Sequence, residues 1–245
     1  MNRILFEPEE VRDDIATFGG DRAAHVLDVL HGEVGQTLKT GVVDGPVGTS
    51  VITDIATGGS SAEAKVTVRC SHHDLSLRPW VNLVLAPPRP RVMKRLLPQL
   101  ATLGVGKIFL VGAKKVEKDF WGATLLKPEN YRPLLIDGLM QAGTTALPTI
   151  DCRRNFRAFV REELDRVLPS QKRIVAHPYG ASAPLEQGDS GAELTLAIGP
   201  EGGWTDEEVD LLCAQGFSRY SLGPRILRTD TATIALLAQL MPKVP

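Results

Sequence analysis

Cysteine is scarce in this 245-residue chain: Cys70, Cys152 and Cys213 are scattered, and no C-x-x-C pair occurs. An odd, dispersed set excludes a disulfide framework and a cysteine-built zinc site, and it fits a reducing compartment. The His72-His73 pair, with Cys70 and Asp74 beside it, does not follow the spacing of a zinc motif, so no metal is expected. No stretch approaches the ~18 consecutive apolar residues that a membrane helix requires. The opening MNRILFEPEEVRDD turns acidic after six residues and lacks the apolar core and cleavage site of a signal peptide. The expectation is a soluble cytoplasmic protein with no membrane partner. An excess of one charge is missing too: 28 Lys plus Arg stand against 29 Asp plus Glu. That excludes a globally basic nucleic-acid coat but leaves room for a local basic face. What remains is an ordinary globular composition, 43% hydrophobic and 23% charged, long enough for one large domain or two small ones.

The first seventy or so residues read as β structure. Gln36–Val43 and Val47–Ala56 are rich in Val, Thr and Ile, with Asp44-Gly45 between them as a hairpin signal. Ala64–Cys70 alternates as a strand should, and Arg22–Leu30 is the one helical stretch. Gly58-Gly59-Ser60-Ser61 forms a loop. From about Leu77 the style changes. Trp80–Ala86 is an apolar strand, and Arg91–Leu103 follows with leucines at helical spacing and a Pro98 that should kink or split the helix. Lys107–Val111, Arg173–Ala176 and Leu194–Ile198 are further strands. They alternate with helices at Tyr131–Gln141 and after the candidate cap Asn155. This alternation predicts an α/β domain built on a parallel sheet. The boundaries read as a β-rich module over 1–72 and an α/β domain over 78–245.

The densest signal lies between Leu194 and Leu240. An apolar strand, LTLAIG, runs into Gly199-Pro200-Glu201-Gly202-Gly203. Thr205 and Glu208 then form a capping box that opens a helix, which stops at Gly216. A short strand, Phe217–Leu222, leads to a second turn, Gly223-Pro224-Arg225-Ile226-Leu227-Arg228, and then to a final helix. Two glycine-proline turns thus follow two strands, the edge of an open α/β sheet where ligands bind. The first turn lacks the lysine of a P-loop, and no G-x-G-x-x-G opens a βαβ unit, so neither standard nucleotide site is supported.

IGPEGGWTDEEV followed by LGPRILRTDTA is similar to the C-terminal motifs of the SPOUT methyltransferases. It most resembles the branch that methylates N3 of a uridine in 16S ribosomal RNA. The resemblance is specific over about 194–235 and extends to the layout of the whole chain. It implies an N-terminal PUA-like β-barrel that binds RNA, followed by a SPOUT α/β domain with a C-terminal trefoil knot. It also implies an S-adenosyl-L-methionine cofactor, a 16S rRNA or small-subunit substrate, and a homodimer. The final helix, Thr233–Leu240, is apolar enough for a dimer interface and equally for core.

Carried over residue by residue, the resemblance places the cofactor against Ile198, Gly199, Glu201, Gly202 and Gly203 in the first loop. In the second loop it uses Leu222, Gly223, Ile226, Leu227 and Arg228. Arg225 and Arg228 are the candidate catalytic residues, because a guanidinium can hold a phosphate or carboxylate or stabilise a uracilate anion. The alternative for either arginine is a brace to Glu201 or Asp230. His177, after the strand Ile174–Ala176, is a candidate contact or a plain loop residue. Eight basic residues and one acid fall between Arg89 and Lys118. Of these, Arg89, Arg91, Lys94, Arg95, Lys114 and Lys115 are candidates for RNA contact, with Arg3 and His25 in the β module. A second basic cluster comprises Arg153, Arg154, Arg157 and Arg161. The middle of the chain departs from the family: Gln99, Thr102 and Thr144 stand where lysine, glutamate and arginine are usual. Two alternatives stay open on those departures: a SPOUT ribose 2′-O-methyltransferase on tRNA or rRNA, and an RNA-binding assembly factor without catalysis.

Overall fold

The computed structural model describes residues 2–56, 58–169, 172–179 and 194–242. The chain divides into two compact units. The first comprises Met1–Arg78 with Ile136–Leu147, and the second Pro79–Leu135 with Pro148–Pro245.

The first unit is built on a six-stranded sheet. Its strands are β1 (Ile4–Phe6), β2 (Val11–Arg12), β3 (Ile15–Phe18), β4 (Thr37–Val42), β5 (Val47–Ala56) and β6 (Lys65–Asp74). The order is β1-β4-β5-β6-β3-β2, with β1 parallel to β4 and every other pair antiparallel. Among the described residues β1 and β2 remain the two edges of the sheet, so the expected barrel is a curled half-barrel. The expected hairpin at Asp44-Gly45 joins β4 to β5, and Asp44 takes a positive φ of 55° to make the turn. The expected helix over 22–30 is shorter and irregular. Helix α1 (Gly20–Ala24) passes into a π-helical turn, His25–Val29, that buries Ala23 and Val26 on the sheet. Ile4, Phe6, Phe18, Leu38, Ile52, Val66 and Val68 complete this core.

A polar cluster sits inside that sheet. Thr40 Oγ1 lies 2.6 Å from Ser50 Oγ and 2.7 Å from His72 Nε2. The Arg3 guanidinium donates to the carbonyls of Thr40, Gly48 and Gly143. Burial, reinforced by the Arg3 charge and the neighbouring His73, holds the His72 pKa below its ordinary value against the opposing pull of Asp14. A histidine with a depressed folded-state pKa takes up its proton more readily when unfolded. Its contribution to stability is present above the unfolded value of about 6.5 and is lost as pH falls through the folded one. We expect the melting temperature of the wild type to fall more between pH 7.5 and pH 5 than that of His72→Gln. Parallel pH profiles for the two proteins would remove His72 from that role.

The second unit carries six parallel strands. They are β7 (Val81–Leu85), β8 (Val105–Val111), β9 (Thr149–Arg153), β10 (Lys172–Ala176), β11 (Leu194–Ile198) and β12 (Ser218–Tyr220), in the order β12-β10-β11-β7-β8-β9. All five residues of β7 and of β11 are buried, as a parallel strand covered on both faces requires. Helix α2 (Pro90–Thr102) is not split at Pro98. Its buried face of Met93, Leu96, Leu97, Leu100 and Ala101 contributes roughly 1.5–3 kcal/mol for each large side chain. That outweighs the ~3 kcal/mol cost of one interior proline. Helix α3 (Pro128–Ala142) likewise contains Pro133. Helical segments α4 (Phe156–Ala158) and α5 (Leu164–Val167) are joined by a π-helical turn, Phe159–Glu163, and Asn155 Oδ1 accepts from Ala158 N as the sequence predicts. Helix α6 (Asp206–Ala214) opens on the expected Thr205–Glu208 capping box and is followed by Gly216 at φ +82°. Helix α7 is Thr229–Leu240. Phe109, Phe156, Phe159, Trp204, Leu212 and Phe217 anchor the core on one side of this sheet. Strand β9 was not legible in the sequence, because its TIDCR pattern is mostly exposed at the sheet edge.

Candidate active site

Parallel alignment places every strand's carboxyl end on one edge of the second sheet. There the loops after β10, β11 and β12 enclose a cavity of about 500 Å³. The two glycine-proline turns form facing walls. Ile198, Gly199, Glu201, Gly202 and Gly203 come from the first, and Leu222, Gly223, Arg225, Ile226 and Leu227 from the second. The sequence expectation thus assembles in one place, except that Arg228 is not among the lining residues and serves as the residue before α7. Local backbone chemistry explains the turns. Gly203 and Gly223 hold φ of +69° and +117°, a region L-residues avoid. Gly199 is required by packing, since an added Cβ would meet Trp204 N at 3.0 Å.

Several lining residues escaped the sequence reading. Lys115, expected to face RNA, borders this cavity, and its Nζ donates to the Gly202 carbonyl at 2.8 Å. Tyr179, Tyr220 and Ser221 enter because β10 and β12 are sheet neighbours, which no local pattern reveals. His177, the loop histidine, also lines the cavity. Its Nδ1 lies 2.6 Å from the Tyr179 carbonyl and 3.3 Å from Tyr179 N, so the ring is tied to the loop after β10. Trp204 is buried against Phe156, with ring centroids 5.2 Å apart, yet its Nε1 has no hydrogen-bond partner among the described residues. The indole edge bearing that nitrogen lies beside Gly199, whose added Cβ would stand 3.2 Å from Trp204 Cδ1.

The charges sort into braces and free groups. Glu201 Oε1 accepts from Arg89 N at 3.1 Å, and Arg89 Nε donates to Glu117 at 2.9 Å. Arg95 reaches Asp230 at 3.5 Å. The acids that could have braced Arg225 and Arg228 are therefore engaged elsewhere. Both arginines are exposed, and neither guanidinium has a hydrogen bond or ion pair among the described residues, although the Arg228 carbonyl accepts from Ala232 N at 2.8 Å. Arg91, Lys94 and Lys114 also project as exposed cations. Arg3 is turned inward onto three carbonyls of its own unit, and His25 is half-buried with Nε2 enclosed. Their geometry is that of internal groups of the first unit. Among the described residues no three His, Cys, Asp or Glu side chains are grouped to hold a metal, and no helix is long and apolar enough to cross a membrane.

A parallel α/β sheet with a glycine-walled cavity at its carboxyl edge defines a nucleotide- or cofactor-binding domain. Residues 76–241 match the family model of the RNA methyltransferase domain. Over 242 residues, 97% of this chain and 90% of the relative, the sequence is 34% identical to the ribosomal RNA small subunit methyltransferase E of Treponema pallidum. The chain belongs to this family of RNA methyltransferases. Among solved structures it is similar to a Legionella pneumophila methyltransferase in complex with S-adenosylmethionine. That match has 26% identity and a TM-score of 0.75, over 98% of this chain and 96% of that one. It also shares the fold of the ribosomal RNA small subunit methyltransferase E of Neisseria gonorrhoeae, with TM-score 0.73 and 20% identity, over 98% and 96% of the two chains.

Proposed function

We propose that the protein transfers a methyl group from S-adenosylmethionine to N3 of a uridine in 16S rRNA of the small ribosomal subunit. The single observation that carries this reading is the cavity between the two glycine-proline turns, in a chain 34% identical to a small subunit methyltransferase E. The residues present fit the cofactor. A buried indole N–H without a partner, a glycine wall open to close approach and an apolar floor of Ile198, Ala232 and Leu236 suit an adenosine. Ile198, Gly199, Glu201, Gly202 and Gly203 would hold it from one side, and Leu222, Gly223, Ile226 and Leu227 from the other. Its chemical contribution is an electrophilic methyl group on a sulfonium sulfur, open to direct displacement. Arg225 presents a guanidinium at the cavity wall, where negative charge on a uracil that has lost its N3 proton is stabilised. Arg228, three residues on in the same loop and directly before α7, adds a second positive charge outside the cavity lining. Lys115 fixes the Gly202 carbonyl and so the shape of the first loop.

The same reading extends to architecture. The half-barrel of the first unit acts as a PUA-like RNA-binding module over about 1–72, and residues 78–245 form a SPOUT domain whose C-terminal turns close a trefoil knot. The working form is a cytoplasmic homodimer. The exposed side chains of Ile226 and Met241, 76% and 36% accessible, support a partner surface around α7.

Methyl transfer from labelled S-adenosylmethionine tests the proposal on three substrates: small subunits lacking the modification, protein-free 16S rRNA and bulk tRNA. We expect 3-methyluridine in the digested subunit RNA. A ribose-methylated product would establish the 2′-O alternative. Binding of RNA with no cofactor affinity would leave a non-catalytic assembly factor.

A further inference from the structure

A second cavity of about 520 Å³ opens on the same edge of the parallel sheet, over the ends of β8 and β9. We propose that it is the docking site for the phosphate backbone of the RNA, held by Lys114 and Arg154 beside the cofactor cavity. This inference rests on the reading of the protein as an RNA methyltransferase and assigns a place to the substrate strand.

The two cavities share a wall. Gly199–Trp204 borders the first, and Thr205 with Glu207 and Glu208 in the first turn of α6 borders the second. The loop after β8 repeats the pattern, with Lys115 lining the first cavity and Lys114 the second. A strand seated in the second cavity therefore runs along residues directly continuous with those lining the first. Gly112 lets the ends of β8 and β9 pack closely, since a Cβ added there would fall 2.0 Å from the Arg154 carbonyl, and this fixes Arg154 at the cavity.

The charge balance favours an anion. Glu207 is engaged with Arg157 at 2.6 Å, and buried Glu208 accepts from Lys114 N at 2.7 Å and from Thr205 N at 2.9 Å. The Lys114 ammonium is exposed, with no partner among the described residues. Arg154 is exposed as well, and its guanidinium lies 5.7 Å from the centroid of the half-exposed Trp121 ring. Among the described residues the guanidinium makes one hydrogen bond, a 3.3 Å contact to the Trp121 carbonyl. A stacked guanidinium keeps its remaining N–H groups for a phosphate, and an arginine–indole pair offers a flat face to an unstacked base. Arg153, next in sequence, is different in kind. It pairs with Glu163 at 2.8 Å and lies over Phe109, so it braces the fold. Within the second basic cluster, Arg153 is thus an internal brace, Arg157 is paired with Glu207, and Arg154 is the residue that faces the RNA.

The test measures binding of full-length protein to in vitro transcribed 16S rRNA and to small subunits across a salt series, with cofactor affinity by calorimetry. Charge reversal in Lys114→Glu/Arg154→Glu should weaken binding to both at least ~10-fold, with cofactor affinity and melting temperature unchanged. The neutral Lys114→Ala/Arg154→Ala pair should flatten the salt dependence by about two phosphate contacts' worth of slope. Arg154→Lys should recover part of the loss, and Arg161→Ala, in the following π-helical turn and outside the cavity, should bind as wild type. Wild-type affinity and slope in both double variants would overturn this site while leaving the methyltransferase reading intact. Loss on subunits alone, with protein-free 16S rRNA unaffected, would assign the cavity to a ribosomal protein and overturn the proposal. A wild type that transfers no methyl to any RNA would overturn the underlying reading, and the site with it.

Discussion

Arg225→Ala is expected to lower methyl transfer at least 100-fold while the protein folds and binds cofactor as before. The expectation follows from where the guanidinium stands. It borders the cavity, is exposed, and has no hydrogen bond or ion pair among the described residues. Removing it breaks no contact of the fold, and surface substitutions of that kind shift stability by ~0.5 kcal/mol or less. What it removes is a positive charge at the cavity wall, which on the proposed reading would stabilise the anion formed when N3 loses its proton. Loss of one such donor typically costs 10²–10³-fold in rate. Arg225→Lys should recover part of the rate, since the charge survives without the planar fork. Single-turnover transfer with saturating cofactor gives the number, and a wild-type rate in Arg225→Ala would remove the arginine from the chemistry.

Gly199→Val is expected to weaken cofactor binding at least 100-fold, with RNA binding retained. The added Cβ would meet Trp204 N at 3.0 Å and Gly203 C at 3.3 Å, both backbone atoms of the loop that walls the cavity. Backbone cannot swing aside as a side chain can, so the whole turn must shift. Gly202 is the milder position, because its added Cβ would meet the Lys115 side chain at 2.9 Å, and a lysine stem can move. Calorimetry on both variants separates the cases: Gly199→Val should lose affinity and Gly202→Ala should keep most of it. Equal, undiminished affinities would show that the first turn does not contact the ligand.

Those positions show how much of the site was legible in the chain. The turns, the Thr205–Glu208 cap, Gly216 and the Asn155 cap are local grammar, set by φ preferences and nearest hydrogen bonds, and the structure reproduces them. The family resemblance located the cavity's two walls for the same reason: each wall is one continuous turn. What stayed hidden depends on strand order. Tyr179, Tyr220 and Ser221 reach the cavity only because β10 pairs with both β11 and β12. Lys115 looked like one cation in a basic run, yet a 2.8 Å bond to Gly202 ties it to the cofactor side, while its neighbour Lys114 faces the other cavity. Pro98 misled in the opposite direction, since a local rule against helix was overridden by five buried side chains. The π-helical turns at His25–Val29 and Phe159–Glu163 have no sequence marker beyond a helical pattern that drifts out of phase.

The path of the chain through the first unit has a consequence for dissection. Ile136–Leu147 belongs to the same compact unit as Met1–Arg78, although 57 intervening residues, Pro79–Leu135, belong to the other. The bonds are specific: Ser76 Oγ accepts from Thr145 N at 2.9 Å, Thr145 Oγ1 donates to Gly45 O at 2.6 Å, and Asp44 Oδ1 accepts from Leu147 N at 2.8 Å. Neither unit is therefore a cassette that one cut in the chain could release. An excised N-terminal fragment would leave its clasp behind, and a fragment beginning after residue 78 would carry that clasp with nothing to fasten. Evolution could lengthen or recolour either part, but exchanging one for a foreign module would require three junctions to be rejoined at once.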